Sequence, residues 1–354
     1  MTVTIKDVAR EAKVSVASVS RALNGSASVT EPTRQRILRV AARLRYVPHG
    51  AARSLITRRT NTIGALLPDL YGEFFSELIR GISLAARVRG LNLLVSSSHG
   101  NLPEAAAALR AMRGRVDGLL IMSPHVDAEF LGHQLPEGLP AVLLNSPVAD
   151  RRYPAFNIDN YGGALTMTRH LLGLGYRSLA FLTGPAGNFD AEERLRGFRA
   201  ALRMSRRRLR HWLLPGDFSD GAGYLAGRRL LTMRPRPRAV FAANDMMAIG
   251  CLVALAEAGL RVPEDVAVVG FDDIPIARFV QPPLTTVRVQ IAELGRRAFE
   301  QLARRMDLPQ IPDADVDVQP PCTIVVRGSC GAAAASVPRR HESPNPRNKT
   351  GGKP

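Results

Sequence analysis

Residues 4–25 read TIKDVAREAKVSVASVSRALNG, and this stretch decides the fold of the first part of the chain. Apolar residues recur at helical spacing before and after the short turn KVS at residues 13–15. A third amphipathic helix is predicted after Thr30, its expected cap, with Pro32 tolerated in the first turn. Two helices joined by a short turn, with a third helix that closes the core, predict a helix-turn-helix unit.

The exposed side of the second helix carries small residues and a single arginine. In a helix-turn-helix unit this helix enters the DNA major groove, and small side chains allow a close approach. Ser15 and Ser20 can bond phosphates or bases. Val16 and Ala17 can touch thymine methyl groups, and Arg21 can make a bidentate contact to guanine worth about 1–3 kcal/mol of discrimination. The alternative is an ordinary three-helix unit whose Ser and Arg side chains are solvated.

The quoted stretch resembles the DNA-binding headpiece of the LacI/GalR family of bacterial transcription regulators. The resemblance extends over about residues 3–330, and the headpiece motif is its most specific part. The positions that match the family pattern are Thr4, Asp7, Val8, Ala9, Val14, Ser15, Val19, Ser20, Arg21, Asn24 and Gly25. Ser18 stands where the family usually has Thr, and Lys13 where Gly or Asn is common. A left-handed backbone is therefore expected at Lys13, at a cost of about 1 kcal/mol.

The resemblance implies which residues contact double-stranded DNA. It assigns base reading to Val16, Ala17 and Arg21, and a backbone contact to Asn24. The family's phosphate-contacting positions match Thr4, Ser15, Ser20, Thr30, Thr33 and Tyr46. Ala52 and Leu55 of the following linker complete the set of predicted DNA-binding residues.

Residues 48–60 form the predicted linker. Pro48 is expected to end the third helix, and GAARSL at residues 50–55 is too short to be a stable helix on its own. The segment resembles the family's hinge helix, which pairs with its twin across a homodimer. The resemblance makes Leu55 a wedge in the minor groove of a palindromic operator, with the small Ala52 close to that groove. The alternative is a basic tether whose Leu55 packs on the body.

From residue 61 the chain alternates apolar strand candidates with helices. The candidates are TIGALLP, LNLLVSS, VDGLLIMS, PAVLLN, SLAFLTG, AVFAAN and VAVVGFDD, with AFNIDNYGG as the crossing point between two sheets. Near-continuous apolar strands separated by helices predict parallel sheets covered on both faces, an α/β fold. The family resemblance implies a two-subdomain body like that of periplasmic sugar-binding proteins.

These patterns predict four segments. They are a headpiece at residues 1–47, a linker at 48–60, an effector-binding and dimerisation body at 61–330, and a disordered tail at 331–354. Within the body, the N-subdomain takes about residues 61–159 and 288–317, and the C-subdomain about 160–287 and 318–330.

Polar residues follow many of the predicted strands, and in parallel α/β sheets ligands bind outside those strand ends. The resemblance places Asn244, Arg194 and Asp272 on ligand-bonding positions, Phe218 on a stacking position and Phe74 and Phe75 on the opposite wall. The predicted effector-binding residues are Phe74, Phe75, Asn145, Asp159, Asn188, Asp190, Arg194, Phe218, Asn244 and Asp272. Alternatives remain open: Asn244 and Asp272 as helix caps, Arg194 in a structural salt bridge, and the phenylalanines as core residues.

The net charge of +17 is concentrated at the two ends of the chain. Residues 1–60 hold 12 Lys and Arg against three Asp and Glu, and residues 331–354 hold five against one. The 270 residues between them hold 31 against 27. The dense N-terminal block indicates a polyanionic partner. The run SRRRLRH at residues 205–211 is interpreted as a solvated surface patch.

The remaining features argue against other functional classes. Cys251, Cys322 and Cys330 have no metal-type spacing, the histidines are scattered, and neither a metal nor a cofactor is expected. The N-terminal residues are too polar for a signal peptide, so a cytoplasmic chain without a membrane anchor is expected. The sequence shows no pair of a nucleophile and a base of the kind that would indicate an enzyme.

The prediction is a dimeric, allosteric DNA-binding repressor of carbohydrate-utilisation genes. Its effector is a small sugar or sugar derivative, and relief of repression by that effector is the first choice. Corepression or activation, an effector of another class such as a purine, a higher oligomer, and a solute-binding receptor for a transporter stay open as alternatives.

Overall fold

The computed structural model describes residues 3–23, 28–47, 59–123, 126, 128–146, 153–307, 317–318 and 322–332. They fall into two compact units. One unit is Met1–Thr62 with Gly114–Asp117, and the other is Ile63–Arg113 with Gly118–Pro354. The first contains the headpiece, and the second contains nearly all of the body.

The described part of the headpiece consists of α1 (Ile5–Glu11), α2 (Val16–Leu23) and α3 (Glu31–Arg43). A capping box starts α1, in which the Thr4 hydroxyl donates to Asp7 Oδ2 over 2.7 Å. The helices enclose a small apolar core centred on the fully buried Val8, Val19 and Ile37. This core fixes how α2 presents its outer face.

The turn between α1 and α2 has the strained backbone that the sequence predicts. Lys13 adopts a φ of 52°, in the left-handed region that normally favours Gly or Asn. After the turn, Val19 and Ala22 face the core, whereas Val16 is 41% exposed. Val16 is therefore available to a partner rather than needed for packing.

The body contains two six-stranded sheets. Strands of the first sheet are β1 (Thr62–Leu67), β2 (Asn92–Ser97), β3 (Leu119–Ile121), β4 (Ala141–Leu144), β5 (Ala155–Asn157) and β11 (Asp317–Val318). Its helices are α4 (Glu73–Val88), α5 (Leu102–Met112), α6 (Ala128–Gln134) and α11 (Ile291–Asp307). The strand order is β11-β5-β4-β3-β1-β2.

The second sheet follows the same plan. Its strands are β6 (Ser178–Leu182), β7 (Arg210–Leu214), β8 (Ala239–Ala242), β9 (Ala267–Asp272), β10 (Thr285–Arg288) and β12 (Thr323–Val325), in the order β12-β10-β9-β8-β6-β7. Its helices are α7 (Asn160–Gly173), α8 (Phe189–Met204), α9 (Asp220–Thr232) and α10 (Asp245–Glu257). Helix α7 packs on α8, and α9 packs on α10.

Parallel pairing dominates both sheets, and the described exception is the antiparallel pair of β10 with β12. The central strands β3, β4, β8 and β9 are buried along their whole length, as the continuous apolar runs predict. The α/β class and the two parallel sheets are confirmed. The chain passes from the first sheet to the second between β5 and α7. This segment belongs to AFNIDNYGG, where the sequence predicts that the chain crosses between the sheets.

Five short strands escape the sequence prediction: β5, β7, β10, β11 and β12. Strand β7 includes Arg210 and His211, and the charged residues of the run at 205–211 are exposed, as the predicted solvated patch requires. Strands β7 and β12 lie at sheet edges and are partly exposed, which weakens the apolar signature of a buried strand. Strand β10 is largely buried, but its two threonines interrupt any apolar run. Strands β5 and β11 have only three and two residues.

Candidate functional site

A cavity of about 490 Å³ opens where strands of both sheets end. Its lining includes eight of the ten predicted effector-binding residues: Phe74, Phe75, Asn188, Asp190, Arg194, Phe218, Asn244 and Asp272. Asn145 and Asp159 are not part of the lining. Among the lining residues that the sequence prediction missed are Tyr71, His99, Asp217 and Met246, which follow strands or begin helices without a pattern that marks them. This cavity is the candidate ligand cleft.

Arg194 is the central cation of the cleft. It lies on α8 and is only 3% exposed. Its Nε donates to Asn160 Oδ1 over 2.8 Å, and its Nη2 lies 3.2 Å from Asp272 Oδ1. The guanidinium also stacks over the Phe271 ring at 3.9 Å from the ring centre. These contacts hold the charged group in one orientation.

Asp190 connects the two halves of the cleft. It accepts a hydrogen bond from Asn160 Nδ2 over 2.7 Å within its own half. It also accepts one from Asn145 Nδ2 over 3.1 Å, and Asn145 follows β4 of the first sheet. Asn145 thus belongs to the site by its bond to Asp190, although it does not line the cavity.

Two buried carboxyl groups, those of Asp190 and Asp272, interact with the single guanidinium of the cleft, and a third lies behind them. Burial raises the pKa of Asp272 to about 7, with Arg194 opposing the rise and Asp190 adding to it. Burial also raises the pKa of Asp190, again against the effect of Arg194. Asp245 lies behind Asp272, and burial together with the Asp272 charge raises its pKa well above the ordinary value. The cleft therefore holds more carboxylate than its one cation neutralises.

Backbone strain is concentrated around this cavity. Asn145, Phe218, Asp272 and Asp273 all have positive φ values, between 46° and 119°. Such conformations cost an estimated ~1–3 kcal/mol each for residues other than glycine, and they accumulate at ligand sites. The strain therefore supports a binding role for this region of the fold.

Two buried side-chain oxygens at the cleft lack a hydrogen-bond partner among the described residues. They are Asn145 Oδ1 and Asp272 Oδ1, of which the second is within ion-pair distance of Arg194 but outside hydrogen-bond geometry. Both atoms are acceptors. A ligand that donates hydrogen bonds would satisfy them, whereas a ligand that offers only acceptors would not.

Three predicted residues also act as helix caps. Asn244 Oδ1 accepts from Met247 N at the start of α10, while its Nδ2 donates to Phe218 O. Asn188 caps α8, and Asp159 caps α7. The capping alternative thus describes Asn244, which nevertheless lines the cavity, but it does not describe Asp272, which faces Arg194.

A second groove of about 640 Å³ runs along α4 and α11. Its charged side chains pair largely with one another: Arg80 with Glu77, Arg89 with Asp307, and Arg296 with Glu293 and Glu300. This pairing leaves little for a small polar ligand to bind. The strand-end cavity is therefore the better candidate despite its smaller volume.

The outer face of α2 in the headpiece is small and accessible. Ser15, Val16, Ala17 and Arg21 are exposed, whereas Ser20 is half-buried. The Ser15 hydroxyl accepts from Ser18 N over 3.1 Å at the start of the helix. Thr4 and Thr30 are exposed as well, and Thr33 and Tyr46 are half-buried. This arrangement permits close approach of α2 to a duplex.

Comparison with known proteins decides the family. Residues 4–49 match the bacterial regulatory proteins of the lacI family, and residues 168–330 match the periplasmic binding protein-like domain. The ribose operon repressor of Haemophilus influenzae is 33% identical over 324 residues, which span 91% of this chain and 97% of that protein. The chain belongs to the LacI family.

Solved structures of LacI-family proteins show the same architecture. A Lac repressor dimer bound to operator and the anti-inducer ONPF matches with a TM-score of 0.80 and 27% identity, over 94% of this chain and all of that one. An Enterococcus faecium LacI-family regulator with bound ribose matches with a TM-score of 0.67 and 30% identity, over 76% of this chain and 98% of that one.

Part of the predicted LacI-family DNA contact set falls outside the described residues. Asn24, Ala52 and Leu55 lie outside the described residues. Most of the linker and the tail beyond residue 332 lie outside them as well. No helix among the described residues has the length and hydropathy needed to cross a membrane. The roles of individual DNA-binding and effector-binding residues, and the subdomain boundaries, stay predictions.

Proposed function

We propose that this chain represses transcription by binding a near-palindromic operator as a homodimer, and that a small polyhydroxylated metabolite in the cleft controls that binding. The protein is a DNA-binding, effector-responsive transcriptional regulator, as the family establishes. One headpiece reads a half-site, so two copies are required for a palindrome. The identity of the effector and the direction of its effect are the proposed parts.

The observation that carries the effector class is the Arg194–Asp272 pair, buried at a cavity whose unsatisfied atoms are acceptors. A sugar offers several hydroxyl donors to such acceptors and can also accept from the guanidinium. Phe74, Phe75 and Phe218 supply apolar faces for a ring. The cavity volume falls within the usual range for small-molecule sites. The ribose bound by the Enterococcus faecium regulator is consistent with this class.

Control requires that the ligand prefer one arrangement of the two sheets. A ligand held between Phe74 of the first half and Arg194 of the second contacts both halves of the body. It therefore stabilises the arrangement in which the two halves are close. We propose that this arrangement sets the spacing of the two linkers and so the joint fit of the headpieces to DNA. We propose that ligand binding relieves repression, and corepression is the alternative effect of the ligand.

Catalysis is not part of this proposal. LacI-family members are transcriptional regulators rather than enzymes. Among the described residues, the one lining hydroxyl that bonds a carboxylate of the same cavity, Ser219 to Asp217, also accepts from Ala222 N, which is a helix-capping arrangement at the start of α9. We place the protein in the cytoplasm, at the chromosome that it regulates.

The test is a thermal-shift screen of the full-length protein against ribose, other pentoses and hexoses, and purine bases. A ligand that binds the folded state raises the melting temperature by mass action. Footprinting on the protein's own promoter region with and without the best ligand then gives the direction of control. Stabilisation by a purine base and by no sugar would overturn the effector class, and the absence of any protected palindrome would overturn the repressor assignment.

A further inference from the structure

We propose that the body carries a second nucleic-acid surface, at the end of the second sheet opposite the cleft. This surface binds the phosphate backbone of a DNA duplex without reading its sequence. It is separate from the headpiece and does not depend on the effector proposed above. We call it the basic end, and define it as the C-terminal halves of α8 and α9, residues 205–209 and the start of β7.

The charge of the body is unevenly distributed. Residues 194–244 contain 13 arginines, no lysine and two aspartates, which gives a net charge of +11. The rest of residues 61–330 contains 18 basic and 25 acidic residues, a net charge of −7. The arginine-rich segment exceeds even residues 1–60, which include the headpiece and carry +9. A bias of the genome toward arginine does not explain why this segment contains only two acidic residues.

The topology gathers these arginines at one end. Arg199 and Arg203 lie on the last turns of α8, Arg206 and Arg208 follow it, and Arg210 begins β7. Helices between parallel strands run opposite to them, so helix C-termini and strand N-termini share one end of the sheet. Asp217 and Asp220 follow β7 at the other end, where Asp217 lines the cleft.

A second helix extends the surface around the sheet edge. Arg228 and Arg229 are exposed near the end of α9, which follows β7 in the chain. Strand β7 is the edge strand and pairs with β6 on one side. The edge therefore lies open between the two basic helix ends, and the charge forms a face rather than isolated points.

These arginines depart from the pattern of the rest of the body. Elsewhere in the body, arginines pair with a carboxylate one turn away, as Arg80 does with Glu77, Arg296 with Glu293 and, in the N-terminal half of α8, Arg196 with Glu193. The eight exposed arginines of the basic end form no salt bridge with any described residue. Their charge is uncompensated by the protein itself, which is the condition under which counterions gather and a polyanion displaces them.

Two arginines at or beside the basic end donate to backbone oxygens rather than to carboxylates, so their charge is not neutralised. Arg207 Nη1 donates to Leu172 O, and Arg238 donates to the backbone oxygens of Glu264 and Asp265. Two acidic groups on the side of α10 are engaged elsewhere: Glu257 accepts from Tyr224, and Asp265 pairs with Arg261. These carboxylates mark the border of the basic end on the side of α10.

A DNA duplex fits this surface better than a membrane or an acidic protein segment. Guanidinium groups match phosphate oxygens in bidentate geometry, and successive arginines on α8 lie about one helical turn apart, ~6 Å, close to the phosphate spacing of a strand. A membrane surface would also require an apolar face, but only Met204 and Leu225 are large, strongly exposed apolar residues here. The headpieces already hold the protein on DNA, which makes duplex the most concentrated polyanion available.

The test measures whether the full-length protein joins two duplexes. A biotinylated 24-base-pair duplex of random sequence is fixed on beads and loaded with protein, and capture of a second, labelled random duplex is measured between 50 and 200 mM salt. The test variant is Arg206→Gln/Arg208→Gln/Arg210→Gln. Its matched control is Arg87→Gln/Arg110→Gln/Arg115→Gln, which removes the same charge from exposed arginines elsewhere in the body.

We expect the test variant to load on the first duplex as the wild type does but to capture at least tenfold less of the second. The slope of log capture against log salt should fall by about 2–3, since each lost phosphate contact removes roughly 0.9. The control variant should behave as the wild type. Equal capture by all three proteins would overturn the proposal, because the headpieces alone would then join the duplexes.

Two further measurements decide the class of partner. Binding of the wild type to phosphatidylglycerol vesicles more tightly than to duplex, with loss in the test variant, would assign the basic end to a membrane and overturn the nucleic-acid assignment. Salt-sensitive formation of a larger oligomer without DNA, again lost in the test variant, would assign the surface to a second copy of the chain, whose remaining body surface is acidic.

Discussion

At the residue scale, the cleft depends on the balance between Arg194 and its carboxylates. A buried guanidinium left without its partner costs an estimated 3–5 kcal/mol, so Arg194 and Asp272 are each needed by the other. Asp190 has its own amide donors and depends less on Arg194. The family resemblance marks Arg194 and Asp272, and Asp272 also follows an apolar strand, but neither signal shows that Asp245 lies behind Asp272.

The raised pKa of Asp272 predicts a pH dependence of stability. Its folded-state value of about 7 lies above the ordinary 3.8, so its contribution favours folding at low pH and is lost as the pH rises through about 7. Asp272→Asn removes this contribution. The free energy of unfolding in urea should therefore fall less between pH 5 and 8 in this variant than in the wild type.

The raised pKa values of Asp190 and Asp245 persist in that variant, so some pH dependence remains. Asp307→Asn, at an exposed aspartate on α11, is the control and should follow the wild type. If the free energy of unfolding fell equally between pH 5 and 8 in Asp272→Asn and in the wild type, the pKa of Asp272 would not be raised by its burial. Asp272→Asn should also lose the ligand-induced thermal shift.

The predicted base-reading role of Arg21 implies that its loss weakens binding to the operator more than binding to random duplex. It is exposed on the outer face of α2, where a bidentate contact to guanine is worth about 1–3 kcal/mol. Arg21→Ala should lower operator affinity about 5- to 150-fold while leaving weak, salt-sensitive binding to random duplex. Fluorescence anisotropy on both duplexes measures this, with Arg87→Ala as the control. An equal loss on both duplexes would contradict base reading.

At the scale of elements, the sequence predicts the buried parts of the fold and misses the exposed ones. The strands β8 and β9 are continuous apolar runs because both of their faces are covered. Strand β7 has a single buried residue, Leu214, and its arginine and histidine hide its strand character. The family resemblance, with the polar strand ends, predicts eight residues of the cleft lining, but it does not single out Tyr71 and His99, which follow the first two strands.

Close helix packing gives the next prediction. A Cβ on Gly250 of α10 would lie 1.9 Å from Asp220 O of α9, too close for the backbones to remain in place. Gly250→Ala should therefore lower the free energy of unfolding by several kcal/mol, by analogy with other overpacked cores at about 1–3 kcal/mol or more.

Gly173 offers the matched control for that substitution. It ends α7, and a Cβ there would meet no atom within 4 Å. Gly173→Ala should be neutral or stabilising by up to about 1 kcal/mol, since alanine is the better helix former. Urea unfolding of both variants measures the difference. A tolerated Gly250→Ala would mean that α9 and α10 can separate without cost.

At the scale of the whole body, three hydrogen bonds between described residues join the two sheets across the cleft. Asn145 donates to Asp190, Tyr71 donates to Asp220 over 2.9 Å, and Glu73 accepts from Ile276 N over 2.8 Å. Each bond joins a segment of the first half to a segment of the second. These bonds favour the arrangement in which the two halves are close, and a ligand that also favours it must stabilise them in turn.

Tyr71 provides a test of closure through its hydrogen bond across the cleft. Tyr71→Phe removes the hydroxyl that reaches Asp220 across the cleft but keeps the ring, so the closed arrangement becomes less populated. Tyr224→Phe is the control, because that hydroxyl bonds Glu257 between α9 and α10 of the same half. We expect Tyr71→Phe to weaken ligand binding about three- to tenfold in calorimetry, and Tyr224→Phe to leave it unchanged. If closure is what the headpieces sense, the ligand concentration that changes operator occupancy must shift by the same factor. A weakened ligand affinity with an unshifted operator response would show that the signal to DNA leaves the cleft by a route other than closure.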